Sequence, residues 1–443
     1  MFQRYRKRLF IIILGDFLCF YTALFIALIL RYGFLLNKFF KLKIIFVNSF
    51  FHFSFIFLIW FLLFTISRLY EFPYLISNRE FYFLAFKLFL IGGFFAVLVF
   101  YIFTPQLVPK LVLLLTIIFS LIFLIIWRSL INWLLKERKR KIIFISQVKE
   151  KEELILFIKS HPSFGLEILE SFFEPEVSRL ESIIKNNKKT KKIYFVVDNQ
   201  YQKLISDRFK DKNIEIIDFG QFYETLTGKV ALSLLTEEWF KNCFSKRNLK
   251  TYEVIKRIFD FLGGIILLII SLPLWPIIGI LIKIDSSGPI LFCSFRIGKG
   301  GKKFLIYKFR TMVKNANQIG PAWTLEKDKR ITKIGKILRF THLDEIPQVI
   351  NIIKGETSFV GPRPEEEKLV ELFKKEIPFY EKRMLIKPGI IGWAQINYPH
   401  GASIKDAIEK LKYDFYYLKH RSLGFDFSIA LKAWRIPFEI KTH

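Results

Sequence analysis

The residues best suited to chemistry are two adjacent carboxylates in Leu343-Asp344-Glu345-Ile346-Pro347-Gln348. An aspartate can attack phosphorus to give an acyl phosphate. A neighbouring carboxylate can hold Mg2+, which takes oxygen ligands and bridges phosphates. An Asp-Glu pair on a helix surface has the same local composition, so the surroundings decide. They are cationic. In Ser358-Phe359-Val360-Gly361-Pro362-Arg363-Pro364 two prolines hold the backbone around one guanidinium, a group suited to bidentate phosphate binding. Tyr307-Lys308-Phe309-Arg310-Thr311-Met312 reads as a strand with Lys308 and Arg310 on one face. The run from Arg296 through Gly298, Lys299, Gly300 and Gly301 to Lys303 reads as an anion-binding turn or as a plain hairpin turn. Basic residues from Arg330 to Arg339 recur at near-helical spacing, as on a solvated face. Lys387-Pro388-Gly389 opens a second Pro/Gly-rich loop. His342 beside the dyad reads as a surface or supporting side chain rather than a general base, and His400 and His420 as ordinary loop or helix histidines.

Elements must bring these groups to a common place, and the first third of the chain says where. Residues 9–30 carry one charge, Asp16; residues 44–66 none; residues 81–104 only Lys87; residues 111–127 none. About 20 apolar residues cross the hydrocarbon, so four transmembrane helices are expected, the last two joined at Thr104-Pro105. Arg4, Arg6, Lys7 and Arg8 precede them and Lys136, Arg138, Lys139, Arg140 and Lys141 follow. Lys and Arg favour the cytoplasmic side, so both ends are placed there, although Arg31, Lys38, Lys41 and Lys43 then fall in an external loop. Asp16 is costly in lipid and reads as a partner for another helix. A further apolar stretch, 258–282, contains Pro273 and Pro276. Proline removes a backbone donor and clashes with the preceding turn. A break at Ser271-Leu272-Pro273 would turn the helix back to its own side, making it re-entrant; a full span is the alternative.

Between these parts, Arg140–Ser146, Leu166–Phe173, Lys192–Asp198 and Ile214–Phe219 read as strands alternating with helices, a Rossmann-like α/β domain. The turn after the first strand, Ser146-Gln147-Val148, lacks the glycines that let a backbone approach a pyrophosphate, so a scaffold or sensor is expected there rather than a nucleotide enzyme. The expected boundaries are 1–139 for four transmembrane helices, 140–250 for the Rossmann-like domain and 251–443 for a C-terminal α/β domain with the membrane helix 258–282. Composition agrees. With 52% hydrophobic residues and 52 Phe the chain is no disordered polypeptide. A net charge of +29 calls for anionic partners: phospholipid, nucleic acid or phosphorylated small molecules. Three scattered cysteines build neither a disulfide framework nor a thiolate metal site.

YKFRTM, RITKIGKILRFTHLDEIPQVIN, FVGPRP and KPGIIGWAQIN, in that order after a proline-broken apolar helix, resemble the bacterial sugar transferases, the monotopic phosphoglycosyl transferases. The four spans and the α/β domain resemble the large members, the polyprenyl glycosylphosphotransferases of exopolysaccharide biosynthesis. The resemblance implies transfer of a hexose-1-phosphate from a UDP-sugar to undecaprenyl phosphate, with UMP leaving. Asp344 would be the nucleophile and Glu345 the Mg2+ ligand. Arg310 and Arg363 would clamp the diphosphate, Lys308 and Arg296 would add phosphate contacts, and Pro362 and Pro364 would fix the loop. Ser271 and Pro273 would mark the helix break. It further implies a multi-pass protein of the bacterial inner membrane with its catalytic domain at the cytoplasmic face, in a lipid bilayer, with a homodimer suggested and no nucleic acid partner. Glucose or galactose is the expected sugar, N-acetylated sugars the alternative. Ser294, His342 and Leu272 depart from the usual family pattern. A membrane-anchored nucleotide-sugar dehydratase or epimerase would use Tyr252 and Lys256 but needs an absent glycine fingerprint. A non-enzymatic basic membrane scaffold would leave the ordered motifs superfluous.

Overall fold

The computed structural model describes residues 2–33, 39–67, 69–70, 79–103, 110–134, 140–187, 192–209, 214–245, 249–316, 328–398, 401 and 403–433. The Thr104-Pro105 turn, Lys136, Arg138, Lys139 and His400 lie outside the described residues, as do the side chains of Arg4, Arg6, Lys7, Arg8, Lys38, Lys41 and Lys43. The chain forms two compact units, residues 1–147 with 151–216 and residues 148–150 with 217–443.

In the first unit, α1 (Phe2–Leu28), α2 (Phe39–Ile66), α3 (Arg79–Phe103) and α4 (Lys110–Leu134) are long and apolar enough to cross a membrane. Aromatic rings fill their core: Phe20 stacks on Phe57 and Trp60, and Trp60 meets Phe89. Asp16 has found its partner on another helix. Arg128 of α4 donates from Nε to Oδ1 at 3.1 Å and from Nη2 to Oδ2 at 2.6 Å. The α/β part follows as β1 (Arg140–Ile145), α5 (Glu150–Ser160), β2 (Leu166–Phe172), α6 (Val177–Asn186), β3 (Ile193–Val197), α7 (Asn199–Arg208) and β4 (Ile214–Asp218). The sheet order is β2-β1-β3-β4, and β1 runs parallel to both neighbours. β3 is buried along its whole length. That burial explains its unbroken apolar run, since a parallel strand is covered on both faces.

Residues 217–250 belong to the second unit, with the motif-bearing chain. Helix α8 (Phe219–Thr227) is held there by Glu224, which accepts from Lys419 at 2.7 Å, and by Trp393, whose indole donates to Gly228 O at 2.9 Å. After α9 (Glu237–Ser245) come α10 (Leu249–Ser271) and α11 (Leu274–Asp285), bent by 61° across Leu272 and Pro273. Pro273 brings no N–H to α10, and Ser271 at the corner accepts from the Trp275 indole at 3.3 Å. An antiparallel hairpin, β5 (Leu291–Ile297) and β6 (Lys303–Phe309), follows. Then come α12 (Lys333–Phe340), a 3-10 turn (Leu343–Gln348), α13 (Val349–Lys354) and β7 (Ser358–Val360). Helix α14 (Glu367–Glu376), β8 (Gly389–Ile391) parallel to β7, α15 (Trp393–Asn397), α16 (Ile404–His420) and α17 (Leu423–Ala433) complete the unit.

Candidate active site

The dyad sits where α12 gives way to the 3-10 turn. Thr332 caps α12 by accepting from Gly335 N at 3.0 Å. Gly335 lies against the Thr311 carbonyl, which a Cβ there would approach to 2.1 Å, so the helix can only start this close to the strand with glycine. His342 then reverses the chain in the left-handed region, φ 55°. Past the turn, the fully buried Asn351 ties α13 to β6. It donates to Leu305 O at 2.7 Å and accepts from Tyr307 N at 3.3 Å. This brace brings Lys308 to the dyad.

Glu345 Oε1 accepts from Lys308 Nζ at 2.7 Å and from Arg363 Nη2 at 2.8 Å. Burial by itself would raise its pKa, but the Arg363 and Lys308 charges outweigh that and hold the carboxyl far below its usual range. Glu345 is therefore ionised. Burial, and then the Glu345 charge, push Asp344 above its ordinary value, against Lys308, Arg339 and His342. The Asp344 carboxylate itself has no hydrogen bond or ion pair among the described residues. Burial lowers the Lys308 ammonium, with the Arg363 charge adding to the effect.

Arg363 is aimed by its backbone. Gly389 N donates to Pro362 O at 2.9 Å, Gly361 N to Ile391 O at 2.9 Å, and Arg383 Nη2 to Arg363 O at 3.0 Å. A Cβ on Gly389 would stand 2.1 Å from Gly361 N, so the two Pro/Gly loops press together backbone to backbone. Arg383 is paired in turn with buried Asp414 at 2.8 Å. From the bent helix, Asp260 accepts from Ser358 Oγ at 3.0 Å and Phe359 N at 3.1 Å, and Arg257 donates to Ile352 O at 2.6 Å. The loops that carry the site therefore rest on α10.

The structure brings Asp344, Glu345, Lys308 and Arg363 together, with Pro362 and Pro364 buried on either side of Arg363. It places three expected groups elsewhere. Arg310 lies just past β6 and donates to Ser286 O at 2.7 Å and Ser287 O at 2.9 Å, holding the corner that follows α11. Arg296 pairs with Glu366 at 2.9 Å, within the electrostatic reach of Arg363 and Glu345 but without a described bond to either. Ser271 and Pro273 stand at the helix corner. The Gly-Lys run is the turn of the β5–β6 hairpin. His420 bonds Glu224 at 3.1 Å, and Tyr252 and Lys256 both bond Asp426, at 2.8 and 2.6 Å. Sequence reasoning passed over Arg339, whose charge acts on Asp344, and over Arg383, Asp260 and Asn351. Only Asp260 left a signal, a lone acid inside an apolar run.

Such a pair, one carboxylate bound by cations and its neighbour without a hydrogen-bond partner among the described residues, suits chemistry on an anionic group. Comparison with known proteins gives the family. Residues 251–439 match the family described as bacterial sugar transferase. The exopolysaccharide production protein PSS of Rhizobium leguminosarum bv. phaseoli is 36% identical over 182 residues, which are 40% of this chain and 91% of that protein. The chain belongs to the bacterial sugar transferase family. The UDP-N-acetylgalactosamine-undecaprenyl-phosphate N-acetylgalactosaminephosphotransferase of Aeromonas hydrophila is 40% identical over 223 residues, 50% of this chain and 52% of that one. The UDP-glucose:undecaprenyl-phosphate glucose-1-phosphate transferase of Escherichia coli (strain K12) is 37% identical over 181 residues, 40% and 39% of the two chains. This chain thus spans about half the length of the Aeromonas relative, and less of the Escherichia one.

Proposed function

We propose that the chain transfers a hexose-1-phosphate from a UDP-sugar to undecaprenyl phosphate through a phospho-aspartyl intermediate. The carrying observation is the asymmetry of the dyad: Glu345 is bound by Lys308 and Arg363, while Asp344 beside it has no hydrogen bond or ion pair among the described residues. An Asp344 oxygen attacks the β-phosphorus of the donor, the bond to the α-phosphate oxygen breaks, and UMP leaves. A phosphate oxygen of undecaprenyl phosphate then attacks the same phosphorus. Asp344 is released, and the product is undecaprenyl-diphospho-sugar. Lys308 and Arg363 face the equatorial charge of the transferring group, as cationic clamps do in phosphoryl transfer. Arg339 assists by favouring ionised Asp344, and Arg296 adds positive potential. The contacts of Arg310 suit a brace for the corner after α11 better than a diphosphate clamp.

The donor set fits Mg2+. No group of three metal-binding side chains occurs among the described residues, but Mg2+ needs only one or two carboxylates when water and substrate phosphates complete its shell. Glu345 would hold it by its second oxygen, since both of its ion pairs fall on Oε1, and the ion would offset diphosphate charge. N-acetylgalactosamine and glucose are the first donor sugars to test, because the relatives are named for them. We further infer that the sheet is Rossmann-like, that α10–α11 is re-entrant in the bacterial inner membrane, and that the catalytic unit faces the cytoplasm. The 61° bend and the basic excess of the chain support this.

Incubation with UDP-sugar and Mg2+, without lipid acceptor, should yield a peptide carrying hexose phosphate on Asp344 by mass spectrometry, and a chelator present from the start should prevent the adduct from forming. An adduct on another residue, or none with turnover intact, would overturn the mechanism. Single cysteines placed at residues 300 and 375 should react with impermeant reagent only in inverted vesicles. Labelling in right-side-out vesicles would exclude the re-entrant arrangement.

A further inference from the structure

In the sheet order β2-β1-β3-β4 the chain leaves β1 toward β2 on one side and lies beside β3 on the other. The loops after β1 and β3 therefore diverge at their carboxyl ends. In open α/β sheets that divergence opens the crevice where ligands bind. Here it is furnished with polar side chains from three loops. Gln147, just after β1, donates from its amide to Tyr201 OH at 2.8 Å and to Glu174, just after β2, at 3.1 Å. Asp198, just after β3, is buried, yet does not cap α7 as an aspartate at that position usually would. Its Oδ2 instead accepts from Gln147 N at 2.8 Å. Its Oδ1 is closed to solvent and has no hydrogen-bond partner. A buried carboxylate oxygen without a donor calls for an explanation, and no donor among the described residues supplies one.

We propose that this crevice binds a vicinal diol, from the ribose of a nucleoside or from a free hexose, with one hydroxyl donating to Asp198 Oδ1 and the Gln147 side-chain amide, turned from Tyr201 and Glu174, bonding the other. The groups offered decide the class. Asp198 and Glu174 are acceptors that repel phosphate, and residues 146–150 contain no glycine to admit a pyrophosphate. Glu174 after β2 also stands where dinucleotide-binding sheets keep an acid for ribose hydroxyls. The site is independent of the transfer reaction and of the dyad.

The test is saturation-transfer NMR on the full chain in lipid nanodiscs with uridine, 2′-deoxyuridine, methyl glucoside and UDP-glucose as probes. Uridine or methyl glucoside should bind, and which of them does so names the source of the diol. Asp198→Asn and Gln147→Ala should each weaken that binding at least tenfold. Glu345→Gln, which lies in the other unit, should leave it unchanged. If uridine is the ligand, 2′-deoxyuridine should fail. Binding that survives both crevice variants, or disappears only in Glu345→Gln, would overturn the proposal, as would no binding by any diol, which would mean that an ordered water satisfies Asp198. Gln147 is exposed, so its variant decides the matter even if Asp198→Asn does not fold.

Discussion

Asp16–Arg128 in the helical unit and Glu345–Lys308–Arg363 in the second unit both set carboxylate against cation at hydrogen-bond distance, but only the first is closed. Asp16 and Arg128 are each 1% exposed, and both carboxylate oxygens are engaged by one guanidinium. The third guanidinium nitrogen finds no acceptor, and the group lies over the Tyr70 and Phe81 rings instead. Charge cancels, and nothing remains to bind. At Glu345 two cations share one oxygen, the Arg363 side chain is 33% exposed, and a second carboxylate stands by with no hydrogen bond or ion pair among the described residues. That cluster leaves one Glu345 oxygen and the Asp344 carboxylate open. The same residue types make a lock where each charged group is taken up and an open site where one is left over.

Three experiments test this contrast. The largest effect is expected from Asp344→Asn. UMP release should fall by about 10⁴-fold or more, as for loss of a covalent nucleophile, with thermal stability in detergent hardly changed. Residual turnover near the wild-type rate would erase the distinction between lock and open site. Next, Asp16→Asn should cost about 3–5 kcal/mol of stability, because it strands a buried guanidinium, and leave UMP release per folded molecule intact. The double variant Asp16→Leu with Arg128→Leu should recover most of that loss, since replacing both partners by apolar groups is often neutral. A double variant as unstable as the single would show that the pair does more than lock helices.

The third effect is smaller and lies in the pH profile. Asp344 is raised above its ordinary value by burial and by Glu345. Activity that needs the ionised form should therefore climb with pH along an acid limb lying above 3.8. Lys308→Gln removes a charge that favours ionised Asp344, so the limb should move to higher pH, and the plateau rate should fall by about 10²–10³-fold. A limb displaced to lower pH would contradict the assigned electrostatics.

Much was legible before folding. The four apolar helices, the alternation of strands and helices from Arg140 to Asp218, and the proline-broken helix follow from composition and period, which are local properties. The dyad was legible because adjacent carboxylates followed by Pro-Arg-Pro are a local pattern too. The role of each cation was not. Lys308 and Arg310 have equal claims in a strand, but the strand ends at Phe309, and Arg310 turns to the carbonyls after α11. Arg339 and Arg383 look like surface charges in helical runs, and only packing carries them to Asp344 and to the Arg363 backbone.

The amino-acid order therefore determined which segments meet lipid, which form the sheet and where a phosphoryl-transfer motif lies, since those depend on neighbours a few residues apart. The tertiary structure alone decided that Asp16 pairs with Arg128, that Glu345 takes Lys308 and Arg363, and that Asp344 forms no ion pair among the described residues. Charges interact over a few ångströms of space, and residues 18 to 112 positions apart reach that distance only when the surrounding elements pack.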